Sequence, residues 1–136
     1  MPYEKKYASY DSLRPSEKLE VAPCMEVQNQ EHRAHLIKEN AIVCIDLYAS
    51  WCEPCRQIAP DYARLAKEYN VSGKCLLVKE NFDLKLTRDC EIQGIPAFVF
   101  YRYGSLVKDR NDKPVVVTGG DLKLVRSILD ELLSGR

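Results

Sequence analysis

Apolar residues in this chain fall into short continuous runs and helical stripes, separated by Gly, Pro, Asn and Asp. Ala41 to Ala49 is almost continuously apolar and rich in β-branched residues, the pattern of a central strand buried on both faces. Before it, Leu19 to Val27 holds a weak strand edged by Pro23, and Asn29 reads as the N-cap of a helix to about Glu39, ended by Asn40. After it, Cys52 to Tyr69 carries Ile58, Tyr62, Leu65, Ala66 and Tyr69 on one helical stripe. Pro60 lies within that stripe, so a kink is expected there. Cys75 to Glu80 is the next strand, Asp83 is a candidate cap for a short helix to about Glu91, and Gly94-Ile95-Pro96 interrupts the chain. Ala97 to Tyr103 alternates as a strand does, Gly104 turns it, and Leu106 to Val117 returns as an antiparallel partner. Asp121 then caps a helix with Leu122, Val125, Ile128, Leu129, Leu132 and Leu133 on one face, and Gly135 follows its end.

The order βαβαβαββα predicts an α/β fold, a mixed central sheet with helices on both faces, finished by an antiparallel hairpin. Residues 1–18 read as a polar arm containing Tyr3, Tyr7 and Tyr10, and residues 19–136 as a single domain. Twenty basic residues balance twenty acidic ones. That balance leaves no electrostatic footprint for nucleic acid or an anionic membrane. No run approaches the roughly 20 apolar residues that span a bilayer, and Met1 to Glu20 lacks the apolar core of a secretory signal. A cytoplasmic, reducing location is the expectation, with proteins as partners.

Two features stand out against this scaffold. Asp46 lies in the most apolar strand of the chain, where an unpartnered carboxylate costs several kcal/mol. Directly after that strand comes Trp51-Cys52-Glu53-Pro54-Cys55. At the first turn of a helix the Cys52 sulfur faces unpaired backbone N–H groups and the positive end of the dipole, which favour a thiolate. Cys55, three residues on, falls on nearly the same face one turn deeper, within reach of a disulfide. Pro54 suits the first turn, where its missing N–H costs little. The pattern points to thiol-disulfide exchange, with Cys52 as nucleophile and Cys55 as resolving thiol. The rival is a zinc site, which needs a second ligand pair. No such pair of cysteines has knuckle spacing, which leaves His32 and His35, three apart on a predicted helix. Cys24, Cys44, Cys75 and Cys90 are scattered singly and read as free thiols, mostly buried.

Five blocks follow one another along the chain: Ile45-Asp46-Leu47-Tyr48-Ala49-Ser50-Trp51-Cys52, Ile58-Ala59-Pro60, Lys79-Glu80-Asn81-Phe82-Asp83, Gly94-Ile95-Pro96 and Gly119-Gly120. In their order and spacing the chain resembles the thioredoxin family over roughly residues 20 to 134. The resemblance implies a cis Ile95-Pro96 bond. It implies that this loop packs on the active-site sulfurs, and that the Ile95 backbone pairs with an extended substrate segment. Trp51 and Ile95, with one of Gly119 and Gly120, would surround Cys52 with a flat apolar surface. Asp46 would lie beneath Cys55 and accept its proton, its pKa raised by burial and restrained by Lys79. The implied activity is a protein-disulfide reductase that needs no bound cofactor or metal, acts on disulfide-containing proteins and is recharged by a thioredoxin-reductase-like donor.

Several positions depart from the family pattern. Glu53 replaces the usual glycine beside Cys52, and its charge would oppose the thiolate and make the protein more reducing; it would also select partners by charge. Ser105 to Thr118 is longer than the usual return strand and reads as an extended hairpin with a polar tip at Asp109-Arg110-Asn111-Asp112-Lys113. Cys90 stands near the Gly94-Ile95-Pro96 loop, where a packing residue and a regulatory thiol are both readings. Two other functions compete. A disulfide oxidase or isomerase of this family tends to carry histidine between the cysteines and a secretory signal, and a redox-inactive adaptor tends to lose a motif cysteine.

Overall fold

Residues 24–135 are described by a computed structural model, in which five strands form one sheet. The strands are β1 (Ile42–Tyr48), β2 (Cys75–Asn81), β3 (Ala97–Arg102), β4 (Ser105–Leu106) and β5 (Val116–Thr118). The continuous apolar run becomes β1, flanked by β2 in parallel and by β3 in antiparallel register. Val43 and Cys44 are both fully buried there, as expected of a strand covered on both faces. β4 and β5 share the outer edge of β3, pairing with opposite ends of it.

Three α-helices of the described residues cover this sheet: α1 (Gln30–Glu39), α2 (Glu53–Tyr69) and α3 (Leu122–Leu133). Their starts follow the capping chemistry read from the sequence. The Asn29 side chain accepts from the His32 N–H, and that of Asp121 accepts from the Leu124 N–H. On one face Tyr62, Leu65 and Ala66 of α2 and Val125, Leu129 and Leu132 of α3 pack on Cys44, Leu77, Phe98 and Phe100. On the other, Leu36 and Ile37 of α1 pack with Val43, Ile45, Leu47, Val78 and Val99. Each fully buried Leu, Val or Phe stabilises this arrangement by about 1.5–3 kcal/mol relative to an exposed one.

Three expectations change in detail. Of the strand expected over Leu19 to Val27, the described part forms an isolated parallel bridge of Glu26 with Lys79; the rest, like the tyrosine-bearing arm, lies outside the described residues. The helix expected from Asp83 to Glu91 is a single 3-10 turn, Phe82–Leu84, capped by the Asn81 side chain and ended by Lys85 in the left-handed region. Of its leucines, Leu86 is buried and Leu84 exposed. Tertiary bonds also hold the irregular chain, since Gln30 Nε2 donates to the Leu86 carbonyl at 2.7 Å.

α2 runs through Pro60 as one helical element. The third change concerns a loop. The long return segment is a split strand. Val107 N–H donates to Phe100 O at 2.8 Å, Val115 N–H donates to Val107 O at 3.0 Å, and the residues between them leave the sheet edge as a small loop. Asp109 closes that loop, its Oδ1 accepting from the N–H groups of Asn111 and Lys113.

Candidate active site

β1 delivers the chain through Tyr48, Ala49, Ser50 and Trp51 to the start of α2, where Cys52 is the N-cap in extended conformation. Its sulfur takes the place of a capping oxygen and accepts from the Cys55 N–H at 3.3 Å. Negative charge on this sulfur would meet that N–H and the dipole of a 17-residue helix. Cys52 and Cys55 form a disulfide with Cα atoms 5.3 Å apart, within the ordinary range for such a bridge. Both are nearly buried, packed with Ala49 and against Tyr48 and Ile95. Pro54 occupies the first turn and is exposed, as its missing donor permits.

The Ile95-Pro96 bond is cis, and the Ile95 carbonyl oxygen lies 3.8 Å from Cys52 Sγ. That loop is tied to the next one, because Gly119 N–H donates to the Pro96 carbonyl at 2.7 Å. Gly119 sits at φ +85°, which only glycine adopts without strain, and a Cβ on Gly120 would lie 2.8 Å from Ile58 Cγ2 of α2. Trp51 is 64% exposed beside buried Cys52. Its indole N–H donates to Asp83 Oδ2 at 3.0 Å, which fixes the ring over the 3-10 turn. The structure thus gathers Cys52, Cys55, Ile95 and Pro96, with Gly119 and Gly120 in the adjoining turn and Trp51 at the rim.

Asp46 is 5% exposed, and its Oδ1 has no hydrogen-bond partner among the described residues. Burial pushes its pKa up to about 7, with Lys79 pulling the other way. Strand alternation places Asp46 on the face shared with Cys44, whose sulfur is 3.7 Å from the Tyr62 hydroxyl of α2. Asp46 therefore faces the same helix one strand step closer to its cysteine-bearing end. Lys79 is its register neighbour on β2, with Nζ 5.4 Å from the centroid of the Tyr48 ring.

Partners without a sequence signal, among them Arg56, Glu26 and Arg33, complete these surroundings. Glu53 forms an exposed ion pair with Arg56, one turn on, and Arg56 Nη1 donates to Ser50 O at 2.5 Å. The charge expected to oppose the thiolate is therefore answered locally. Cys24 donates to Leu77 O at 3.3 Å, and burial, then Asp46, pushes its thiol up to about 12. Glu26 accepts from the Tyr48 hydroxyl. Behind the Ile95 loop, buried Arg33 of α1 donates to Glu80 Oε1 at 2.8 Å, Thr87 Oγ1 at 3.0 Å and the Tyr101 hydroxyl at 2.7 Å. The Tyr101 hydroxyl in turn donates to Asp89 at 2.8 Å. Thus a network of five polar residues fastens the stretch that leads to Ile95 where a helix was expected.

The remaining thiols differ from the active pair. Cys44 and Cys75 are buried, the first held well above the usual thiol range and the second pushed up to about 11, both by desolvation. Cys90 is half-buried, also raised by burial, and lines a cavity of about 200 Å³ with Leu47, Phe82, Leu86 and Ile92. His32 Nδ1 accepts from the Gln28 N–H at 3.0 Å, a local turn contact. Among the described residues no group of three or more His, Cys, Asp or Glu is placed to hold a metal ion.

The thioredoxin family model matches residues 23–116. A thioredoxin of Neurospora crassa is 27% identical over 108 residues, 78% of this chain and 84% of that protein. Thioredoxin H4 of Arabidopsis thaliana is 34% identical over 86 residues, 63% of this chain and 69% of that protein. Among solved structures, a thioredoxin of Plasmodium falciparum superposes with a TM-score of 0.65 at 26% identity, covering 79% of this chain and 97% of that one.

Proposed function

Because the chain belongs to the thioredoxin family and is a thiol-disulfide oxidoreductase of thioredoxin type, we propose that it works in the reducing direction, on disulfides of target proteins. The observation that carries this reading is Cys52 as N-cap of α2, its sulfur against the Cys55 N–H and the Ile95 carbonyl, with buried Asp46 facing the same helix.

In the reduced protein the Cys52 thiolate attacks one sulfur of the target disulfide, and the other sulfur leaves as a thiolate that takes up a proton. Cys55 gives its proton to Asp46 and attacks Cys52 Sγ. The mixed disulfide breaks, the second target sulfur leaves as a thiolate that takes up a proton while Asp46 releases the one it accepted, and the two electrons delivered to the target are those lost in forming Cys52-Cys55. Asp46 suits this step because a carboxyl with a pKa of about 7 both accepts and releases a proton near neutrality. Lys79 limits that rise. Trp51, Pro54, Ile95 and Pro96, with Gly119 and Gly120, form the recognition surface, where the Ile95 backbone pairs with an extended segment of the target. Glu53, paired to Arg56, contributes selectivity by charge at its edge.

A reductase of thioredoxin-reductase type returns the disulfide to the dithiol, which makes the chain an electron carrier in the cytoplasm. No helix among the described residues is long and apolar enough to cross a membrane. Insulin reduction by dithiothreitol tests the direction. The wild type accelerates it, Cys52→Ser does not, and Cys55→Ser accumulates mixed disulfides with its targets. No acceleration by the wild type, or equal acceleration by Cys52→Ser, would overturn the proposal. Cell fractionation with a cytosolic marker tests the location.

A further inference from the structure

On the sheet face that looks at α2, polar side chains from three adjacent segments meet near the C-terminal ends of β1 and β2. Asp46 and Tyr48 alternate onto this face from β1, and Lys79 from β2. The segment around Glu26 supplies the third strand: Lys79 N–H donates to Met25 O at 3.0 Å, and Val27 N–H to Lys79 O at 2.9 Å. Lys79 is consequently flanked in register by two carboxylates, Asp46 on one side and Glu26 on the other. Glu26 is engaged by the Tyr48 hydroxyl, and the Tyr48 ring lies 5.4 Å from Lys79 Nζ. The contacts close a circuit across three strands.

We propose that Glu26 and Tyr48 are positioning residues that hold the Lys79 ammonium beside Asp46, so that the segment entering the domain sets the acidity of the group that accepts the Cys55 proton. A half-buried lysine has a long flexible stem and turns its charge to water unless something retains it. Here the retaining element is an aromatic face, a weak but directional partner for a cation. The ring holds its own place because its hydroxyl is bonded to Glu26. The groups facing Asp46 are Cys44 and Tyr48 from its own strand, Lys79 from β2, Cys24 with Glu26 from the bridged segment, and Tyr62 from α2. Burial keeps both thiols and both phenols neutral near pH 7, so Lys79 is the neighbour whose charge reaches Asp46.

This inference rests on the proposed role of Asp46, and its test does not require activity. The carboxyl carbon of Asp46 is followed by ¹³C NMR from pH 4 to 9 in the oxidised full-length chain. Lys79→Ala defines the full upward movement of the midpoint. Tyr48→Leu moves it upward by part of that movement, because Lys79 is then free to turn away from Asp46; Tyr48→Phe, which keeps the ring, moves it less. Glu26→Ala decides the matter, because it removes the acceptor of the Tyr48 hydroxyl. Deleting a nearby negative charge would by itself lower the Asp46 midpoint, whereas release of Tyr48 and Lys79 raises it. An unmoved or lowered midpoint in Glu26→Ala, or an unmoved one in Tyr48→Leu, overturns the proposal. A wild type that titrates as described but fails to reduce insulin refutes the proposed function alone.

Discussion

Replacing Asp46 by asparagine should stabilise the protein, and by an amount that grows with pH. In the unfolded chain this carboxyl titrates near its ordinary value of 3.8, and in the folded chain burial raises it to about 7. Between those values the folded state holds a proton that the unfolded state has lost, so stability falls as pH rises through this window. Three pKa units at 1.36 kcal/mol each amount to about 4 kcal/mol at alkaline pH, of which roughly 1.5–2 kcal/mol is already present at pH 5. The asparagine amide is neutral throughout and escapes this cost. Any fixed penalty from burying that amide is the same at each pH and cancels in the difference. Urea unfolding of the oxidised proteins at pH 5 and pH 8 is the assay. The advantage of Asp46→Asn over wild type should increase by about 2.5 kcal/mol between the two. An advantage that does not change with pH would refute the reasoning, since the raised carboxyl pKa is its sole source.

Three further outcomes follow from other parts of the structure. Arg33→Met leaves Glu80 as a buried charge without its cation and should cost about 3–5 kcal/mol, most of it recovered by adding Glu80→Gln; urea unfolding at pH 7 measures both. Gly119→Ala forces a Cβ into a left-handed conformation and should cost about 1–2 kcal/mol in the same assay. Glu53→Gly and Arg56→Ala should shift the reduction potential in opposite directions, upward and downward. Each shift stays under roughly 20 mV because the pair is exposed, and the double variant returns to wild type when equilibrated against a dithiothreitol redox buffer.

The parts of this molecule that can be read from its sequence are those whose physics is local. The unbroken run in β1, the caps Asn29 and Asp121, and the stripe of α3 depend on neighbours a few residues away, and each lies where the pattern puts it, except that Leu133 at the end of the stripe is exposed. Asp46 is legible for the opposite reason, as the one carboxylate its strand cannot accommodate cheaply. The missing helix after Asp83 shows the limit. Its residues have ordinary propensities, but Arg33 reaches Thr87 across 54 positions and Tyr101 across 68, and no local pattern encodes such bonds. Glu26 and Tyr48 are invisible in the same way, being 22 residues apart and joined only once strands align. The Glu53 charge can be seen, while its answer in Arg56 depends on a rotamer choice on an exposed helical turn.

The Arg33 network has a consequence for how such a site diversifies. Cys52 stands on the layer formed by α2, whereas the strap carrying Ile95 is fastened through Thr87, Asp89 and Tyr101 to α1, on the reverse of the sheet. The sheet is a partition with the Cys52 sulfur anchored on one side and the proposed grip on a target anchored from the other. Changes on the reverse layer can therefore retune which proteins are held, by loosening or tightening a strap, while the helix that carries the sulfur keeps its packing.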